Sequence, residues 1–368
     1  MFSSFIPLNI YSTWQYNKPD HKFLDQTLEG INDVTFEGRK KNIENNVKQV
    51  FESIQLNECD SINNSIFSLK ITCLNTNVSS VFYIGGINLK ETKILKHETI
   101  IDESIIMYDR LMHEYHLQLS PIILVTKSRS SLSNLDQEFK KSNPFKSYIE
   151  SGYKFEIFKS EINHDSQSLE DFFKNDSAYY LIDGHHRLDF FERNIEKYPH
   201  CLVAIGGIDT MQMNVRPRVL HIEKMRPEKD ACILLEQFFE FVDEQNFKET
   251  DYILKAYQKT FILRLKDDLN NQKNFDISPF VADEIILKKS LCQNYSSAKV
   301  TTLTGHWNNA QMLTQKIDDL NAQAIVIPAI FHKKTFLKCA QNNLYLPPQS
   351  TWFYPKIPEG LFIYDFSK

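Results

Sequence analysis

The chain has no surplus of basic charge: 42 Lys and Arg stand against 47 Asp and Glu, for a net charge of −5. Proteins that hold nucleic acid usually carry a basic field, so, a local groove aside, nucleic acid is not the expected partner. Paired cysteines are also missing. Cys59, Cys73, Cys201, Cys232, Cys292 and Cys339 are scattered with no C-x-x-C pair. That spacing excludes a zinc ribbon and a dense disulfide framework, and it fits a reducing cytoplasm. No run approaches the ~18 apolar residues of a membrane span. The start, Met1-Phe2-Ser3-Ser4-Phe5-Ile6-Pro7, lacks the basic region and apolar core of a signal peptide. Internal repeats and long low-complexity tracts are absent too. What remains is 368 residues, 42% hydrophobic and 24% charged, enough for one large domain or two intimate ones in a soluble, cytoplasmic protein.

Strand and helix patterns are interleaved, which predicts an α/β or α+β arrangement. Alternation over Ile66–Ile71 and Val81–Ile84 predicts paired strands, and Ser120–Val125, Lys154–Phe158, Cys201–Ile208 and Ala324–Pro328 predict further ones. Helical patterns run over Lys41–Ile54, through Ile105, Tyr108, Leu111 and Met112, near Leu169–Phe173, over Lys229–Glu244 and over Lys333–Gln341. Residues 247–293 read as mixed helix with polar spacers, and Ser128–Asn134 as a loop. The expected division is an N-terminal α+β region over 1–90, a central core over 91–225 and a C-terminal region over 226–368.

The most informative stretch is Ala178-Tyr179-Tyr180-Leu181-Ile182-Asp183-Gly184-His185-His186-Arg187-Leu188. An apolar run breaks at Asp-Gly, and Leu188, Phe191 and Ile195 then recur at helical spacing, which predicts strand, tight turn and helix. His185, His186 and Arg187 fall in the first helical turn, where unbonded amides and the helix dipole favour an anion. The guanidinium of Arg187 adds a planar fork suited to phosphate oxygens. The plainer alternative is Asp183 as an N-cap followed by solvated polar residues.

Three further constellations carry polar chemistry. In His97-Glu98-Thr99, Thr99 or Asp102 could cap the helix that follows, while Glu98 is a carboxylate that could accept a hydroxyl proton or hold Mg²⁺. His113 and His116 stand at i, i+3, which reads as a solvated helix face rather than a metal pair. Pro347-Pro348-Gln349-Ser350-Thr351-Trp352-Phe353-Tyr354-Pro355-Lys356 cannot be helix interior. It reads as a strap packed by its aromatics, with Ser350 and Thr351 presented over a pocket.

Taken in order, these pieces resemble the bacterial and archaeal proteins of domain-of-unknown-function family 1015. That family shows an early H-E-x-T, a central D-G-H-H-R after a strand, and a terminal P-P-K-S-T-x-F-Y-P-K with G-L close behind. Here they correspond to His97-Glu98-Thr99 (one residue tighter), Asp183 to Arg187, and Pro347 to Lys356 with Gly360-Leu361. Gln349 stands where the family has lysine. Arg216 and Arg218 lie near the family's H-R-V strand. The wider similarity is to the ParB/sulfiredoxin fold and its free serine kinases.

That resemblance implies a ParB/sulfiredoxin-like nucleotide-binding core with added helices and strands. It also implies phosphoryl transfer from ADP or ATP, with Mg²⁺, to the hydroxyl of free L-serine or a similar small molecule. Glu98 then matches the catalytic carboxylate, with Asp183 and His185 beside it. Gly184, His185, His186, Arg187, His97 and Thr99 match the phosphate site, and Gln349, Ser350 and Thr351 the substrate side. Asp183 is the expected Mg²⁺ ligand. Two rival readings stay open: a nucleotide-binding regulatory protein without transfer activity, and a metal-dependent phosphohydrolase or nuclease.

Overall fold

A computed structural model gives the fold and describes residues 5–6, 8–12, 48, 52, 60–100, 109–110, 112–127, 143–150, 152–160, 178–269, 274–294, 298–303, 320–358 and 360–367. The expected loop at Ser128–Asn134, the helix near Leu169–Phe173 and most of the helix over Lys41–Ile54 lie outside them. Two compact units form, one of Met1–Gln212 with Phe353–Lys368 and one of Met213–Trp352.

In chain order the strands of the first part are β1 (Phe5–Ile6), β2 (Leu8–Ser12), β3 (Asp60–Cys73), β4 (Ser79–Asn88), β5 (Ile94–Leu95), β6 (Leu117–Gln118) and β7 (Ile122–Thr126). They continue with β8 (Lys146–Glu150), β9 (Tyr153–Ser160) and β10 (Tyr179–Asp183), then helix α1 (His185–Arg193) and β11 (His200–Gly207). Next come β12 (Gln212–Val215), β13 (Arg218–His221), α2 (Glu228–Leu235), β14 (Phe239–Val242), β15 (Tyr252–Ala256), β16 (Lys259–Leu265) and α3 (Val281–Leu291). The remainder is β17 (Lys299–Thr302), β18 (Ala324–Ile327), α4 (Lys333–Gln341), β19 (Thr351–Tyr354) and β20 (Ile363–Asp365).

One large sheet organises the first unit, in the order β5-β10-β7-β11-β4-β3-β2-β20-β6, with β9 and β8 continuing from β3. The continuous apolar run Leu202–Ile205 is fully buried in β11, as expected of a strand covered on both faces. β11 runs antiparallel to β4 (Cys201↔Ile87 to Gly206↔Phe82) and parallel to β7 (Val203↔Ile122 to Gly207↔Thr126). The boundary expected near residue 90 is therefore not a boundary. Strands from either side of it share one ladder, and β20, from the far end of the chain, sits between β2 and β6.

β7 begins opposite Val203, one residue short of Leu202. Buried Gln118 supplies the missing partner: its amide donates to Leu202 O (2.7 Å) and to Ser120 O (3.0 Å), and its carbonyl accepts from Leu202 N–H (2.8 Å). This ties Ser120 to the sheet at the entrance to β7.

Helix α1 buries Leu188, Phe190 and Phe191, each worth roughly 1.5–3 kcal/mol of transfer free energy. Phe191 meets Phe366 edge-on at 5.3 Å, and Phe190 stacks on Tyr198 at 6.1 Å. Asp109, Arg110 and Met112–Tyr115 are helical, in keeping with the expected helix there. Of its histidines, His113 is exposed, as a solvated face requires, and His116 is half-buried. His113 packs on Phe190 at 5.0 Å, and His116, at a positive φ past the helix end, packs on Phe366 at 5.7 Å.

The second unit is built on an antiparallel sheet in the order β14-β16-β15-β18-β13-β17. β18 and α4 lie where the sequence patterns place them. Two helical expectations are corrected. The helix expected over Lys229–Glu244 ends at Leu235, because Phe239-Glu240-Phe241-Val242 pairs with Ile262–Leu265 as an edge strand. Most of the expected mixed helix before residue 270 is the β15–β16 hairpin, turning through Tyr257 and Gln258, both at positive φ. Ladder pairing here overrides local helical spacing.

The rest of the expected mixed helix contains a helix at Val281–Leu291, wound as a π-helix. Its i to i+5 repeat puts Val281, Ile286 and Leu291 on one face, buried with Ala231 and Leu235 of α2. No helix among the described residues is long and apolar enough to cross a membrane.

Candidate active site at the β10–α1 corner

β10 leads into α1 through Gly184, whose φ of +92° lies in the left-handed region that glycine tolerates best. Space also demands glycine: a Cβ would lie 3.0 Å from one Arg187 terminal nitrogen and 3.2 Å from Ile122 Cα. The first helical bond runs from Leu188 N–H to Gly184 O at 2.9 Å, so the amides of the first turn precede the ladder. No side chain caps the helix.

Asp183 is thus not the N-cap. Its Oδ1 accepts from Lys356 Nζ at 2.7 Å and its Oδ2 from an Arg187 terminal nitrogen at 3.1 Å. Burial works against the charge, but Lys356 and then Arg187 outweigh it and hold the carboxyl well below its usual range. Arg187 is buried and also donates to Ser120 Oγ, so both ends of its fork are engaged.

Burial pushes the half-buried His185 imidazole down to about 3, with His97 adding to the effect and Glu98 and Asp183 opposing it. Burial, then Arg187, lowers His186 too. Both rings are neutral near pH 7, so the corner's positive charge resides on Arg187 and Lys356. His185 Nε2 is buried and has no hydrogen-bond partner among the described residues.

The His97-Glu98 segment reaches this corner from the other side of the sheet order. β5 pairs with β10, and Lys96 bonds Glu192 on α1. The His97 ring meets the His185 ring edge-on at 4.9 Å and Phe353 at 6.2 Å. His97 Nε2 lies 3.2 Å from Glu98 Oε1, and both residues are buried, whereas Thr99 is exposed. Glu98, His97, Asp183, Gly184, His185, His186 and Arg187 therefore share one site. Sequence reasoning gave no role to Lys356 or Ser120, and gave Phe353 only a packing role. Lys356 and Phe353 stood inside the quoted terminal motif, but only the fold brings them to Asp183 and His97.

Gln349, Ser350 and Thr351 belong to the second unit. Ser350 is fully buried and its hydroxyl donates to Pro347 O at 2.6 Å, so it is not presented as expected. Thr351 is buried as well, and Gln349 Oε1 accepts from Thr302 Oγ1 at 2.8 Å. Arg218 donates to Pro348 O at 3.1 Å and holds Asp283 through two bonds of 2.6 and 2.5 Å.

The neutral histidines contribute to the pH response of the fold. In the unfolded chain a histidine titrates near 6.5. Between about pH 6.5 and 3 the unfolded state therefore holds protons that folded His185 refuses, and stability falls as pH drops through that window. His186 acts in the same direction, and depressed Asp183 extends the loss below about pH 4. The melting temperature is expected to fall between pH 7.5 and 5, and His185→Asn to flatten that slope. A slope unchanged in the variant would contradict a neutral buried imidazole.

Fold and site together define a mixed α/β protein with a charged strand–turn–helix corner facing a buried His-Glu pair. The model of the family described as "Protein of unknown function (DUF1015)" matches residues 81–273, and the chain belongs to that family. No curated protein matches the chain. Among solved structures, a free serine kinase mutant in complex with AMP is similar, with a TM-score of 0.41 and 10% identity over 75% of this chain and 88% of that one. A conserved hypothetical protein from Pyrococcus furiosus gives 0.39 and 12% over 75% and 93%. C-terminally truncated SbnI from Staphylococcus aureus gives 0.41 and 11% over 74% and 82%.

Proposed function

We propose that this protein is a small-molecule kinase that transfers a phosphoryl group from ADP or ATP to the hydroxyl of a free amino acid, L-serine or similar. The observation that carries the reading is the His97–His185 ring contact. Through it a buried carboxylate, Glu98, stands beside a helix start that has two cations and no side-chain cap. Phosphoryl transfer needs little beyond such an arrangement: donors aimed at the phosphate oxygens and a group that orients the nucleophile.

In this reading the first-turn amides, His186 and neutral His185 hold the donor phosphates. Glu98 accepts the acceptor's hydroxyl proton as that oxygen bonds to phosphorus and the bond to the nucleotide's leaving oxygen breaks. Arg187, locked to Ser120 and Asp183, supplies fixed positive charge rather than a free fork. Each Asp183 oxygen accepts from a cation, so Asp183 could hold Mg²⁺ directly only once Lys356 has given up Oδ1. The ion would enter on the donor phosphates.

A second reading, a nucleotide-binding regulatory protein, draws on the engaged Arg187 fork and on Gln349 in place of lysine. One incubation separates the two. The protein with Mg²⁺, ADP or ATP and L-serine is expected to yield O-phosphoserine by mass spectrometry. Nucleotide binding with no phosphorylated product across a panel of hydroxy amino acids would favour the regulator, and phosphate release without acceptor would indicate a hydrolase.

A further inference from the structure

Lys356 is the cation of the corner that sequence motifs left without a role. It reaches Asp183 across 173 positions of sequence, with its Nζ 2.7 Å from Oδ1. The tail carrying it is anchored nearby, where Gly360 N–H donates to Leu119 O at 2.8 Å, next to Ser120. The two cations on Asp183 differ in the shape of their donor groups. Arg187 is held at both ends of its fork and lies against Gly184, so it cannot turn toward a ligand without breaking two contacts. Lys356 is a point charge on a four-carbon stem, and an ammonium can exchange one oxygen for another without geometric penalty.

We propose that Lys356 is a ligand-binding residue of this site, parked on Asp183 and transferred to a phosphate oxygen of the incoming nucleotide. Asp183 is then an internal competitor for that ammonium, a carboxylate standing in for the ligand's phosphate. The proposal rests on the donor-phosphate reading above.

The two halves of the Lys356–Asp183 pair should therefore behave in opposite ways. Titration calorimetry of the full chain with ADP, and separately with inorganic pyrophosphate, is expected to show affinity at least about tenfold weaker in Lys356→Met. Lys356→Arg should partly restore it, and Asp183→Asn should bind pyrophosphate as tightly as wild type or more tightly. Melting curves run alongside confirm that each variant is folded. A purely structural ion pair predicts the same sign of effect from both partners, so equal weakening in Lys356→Met and Asp183→Asn overturns the proposal. Unchanged affinity in Lys356→Met overturns it while leaving the donor site intact. Wild-type protein that binds neither probe overturns the donor-phosphate reading and the Lys356 assignment with it.

Discussion

Glu98→Gln is expected to reduce kcat for amino-acid phosphorylation by about a hundredfold to ten-thousandfold, the usual worth of a positioned general base. ADP affinity should stay within about threefold of wild type. The substitution keeps the shape of the side chain and an oxygen facing His97 Nε2, 3.2 Å away in the native site, so the fold has little reason to respond. Removing a negative charge from a buried position also avoids any new desolvation cost. What is lost is the ability to take a proton from the acceptor hydroxyl. Single-turnover assays with ADP or ATP and L-serine, paired with calorimetry, separate the two quantities. A Glu98→Gln protein with near-native kcat would remove Glu98 from the chemistry and leave only a binding corner.

The second large effect concerns stability. Arg218 and Asp283 form a two-bond pair in which both side chains are almost fully buried, 3% and 6% exposed. Arg218→Met leaves the Asp283 carboxylate without its partner in a low-dielectric interior, which typically costs about 3–5 kcal/mol. It also releases the carbonyl of Pro348, so the Pro347–Thr351 strap should loosen. Burial already pushes the Asp283 carboxyl up despite Arg218, and without Arg218 it should rise further. The variant's deficit against wild type should therefore shrink as pH falls and Asp283 takes up a proton. Replacing both residues, Arg218→Met with Asp283→Leu, should recover most of the lost stability, since apolar packing can substitute for a buried pair. Denaturant melts at pH 7.5 and 5.5 test the series. A single variant as stable as wild type at both pH values would show that the pair contributes nothing.

Local patterns predicted the corner well because every cue there agrees. An apolar strand, an Asp-Gly break and apolar residues at helical spacing all point one way, and the structure has β10, Gly184 and α1 in that order. The same local reading failed over residues 236–265. Phe239–Val242 and the segment from Tyr252 to Leu265 alternate too weakly to exclude helix, and their strand character comes from each other's backbone. Pairing energy between residues distant in sequence is not written in either segment alone. Expecting Ser350 to face a pocket failed for a related reason. A hydroxyl beside prolines can serve a ligand or the backbone, and only the fold shows Pro347 O accepting from it.

The sequence by itself determined a mixed α/β chain without paired cysteines or basic excess. It also determined the strand–turn–helix at Asp183–Arg187, with glycine where the backbone turns left-handed. These depend on spacing and residue type within about ten positions. Tertiary structure alone decided which charges the corner carries. Burial neutralises His185 and His186, Ser120 and Asp183 immobilise Arg187, and Lys356 arrives from the chain's end to balance Asp183. Desolvation and Coulomb interaction act through space, so a motif can name the residues of a site without stating their charge.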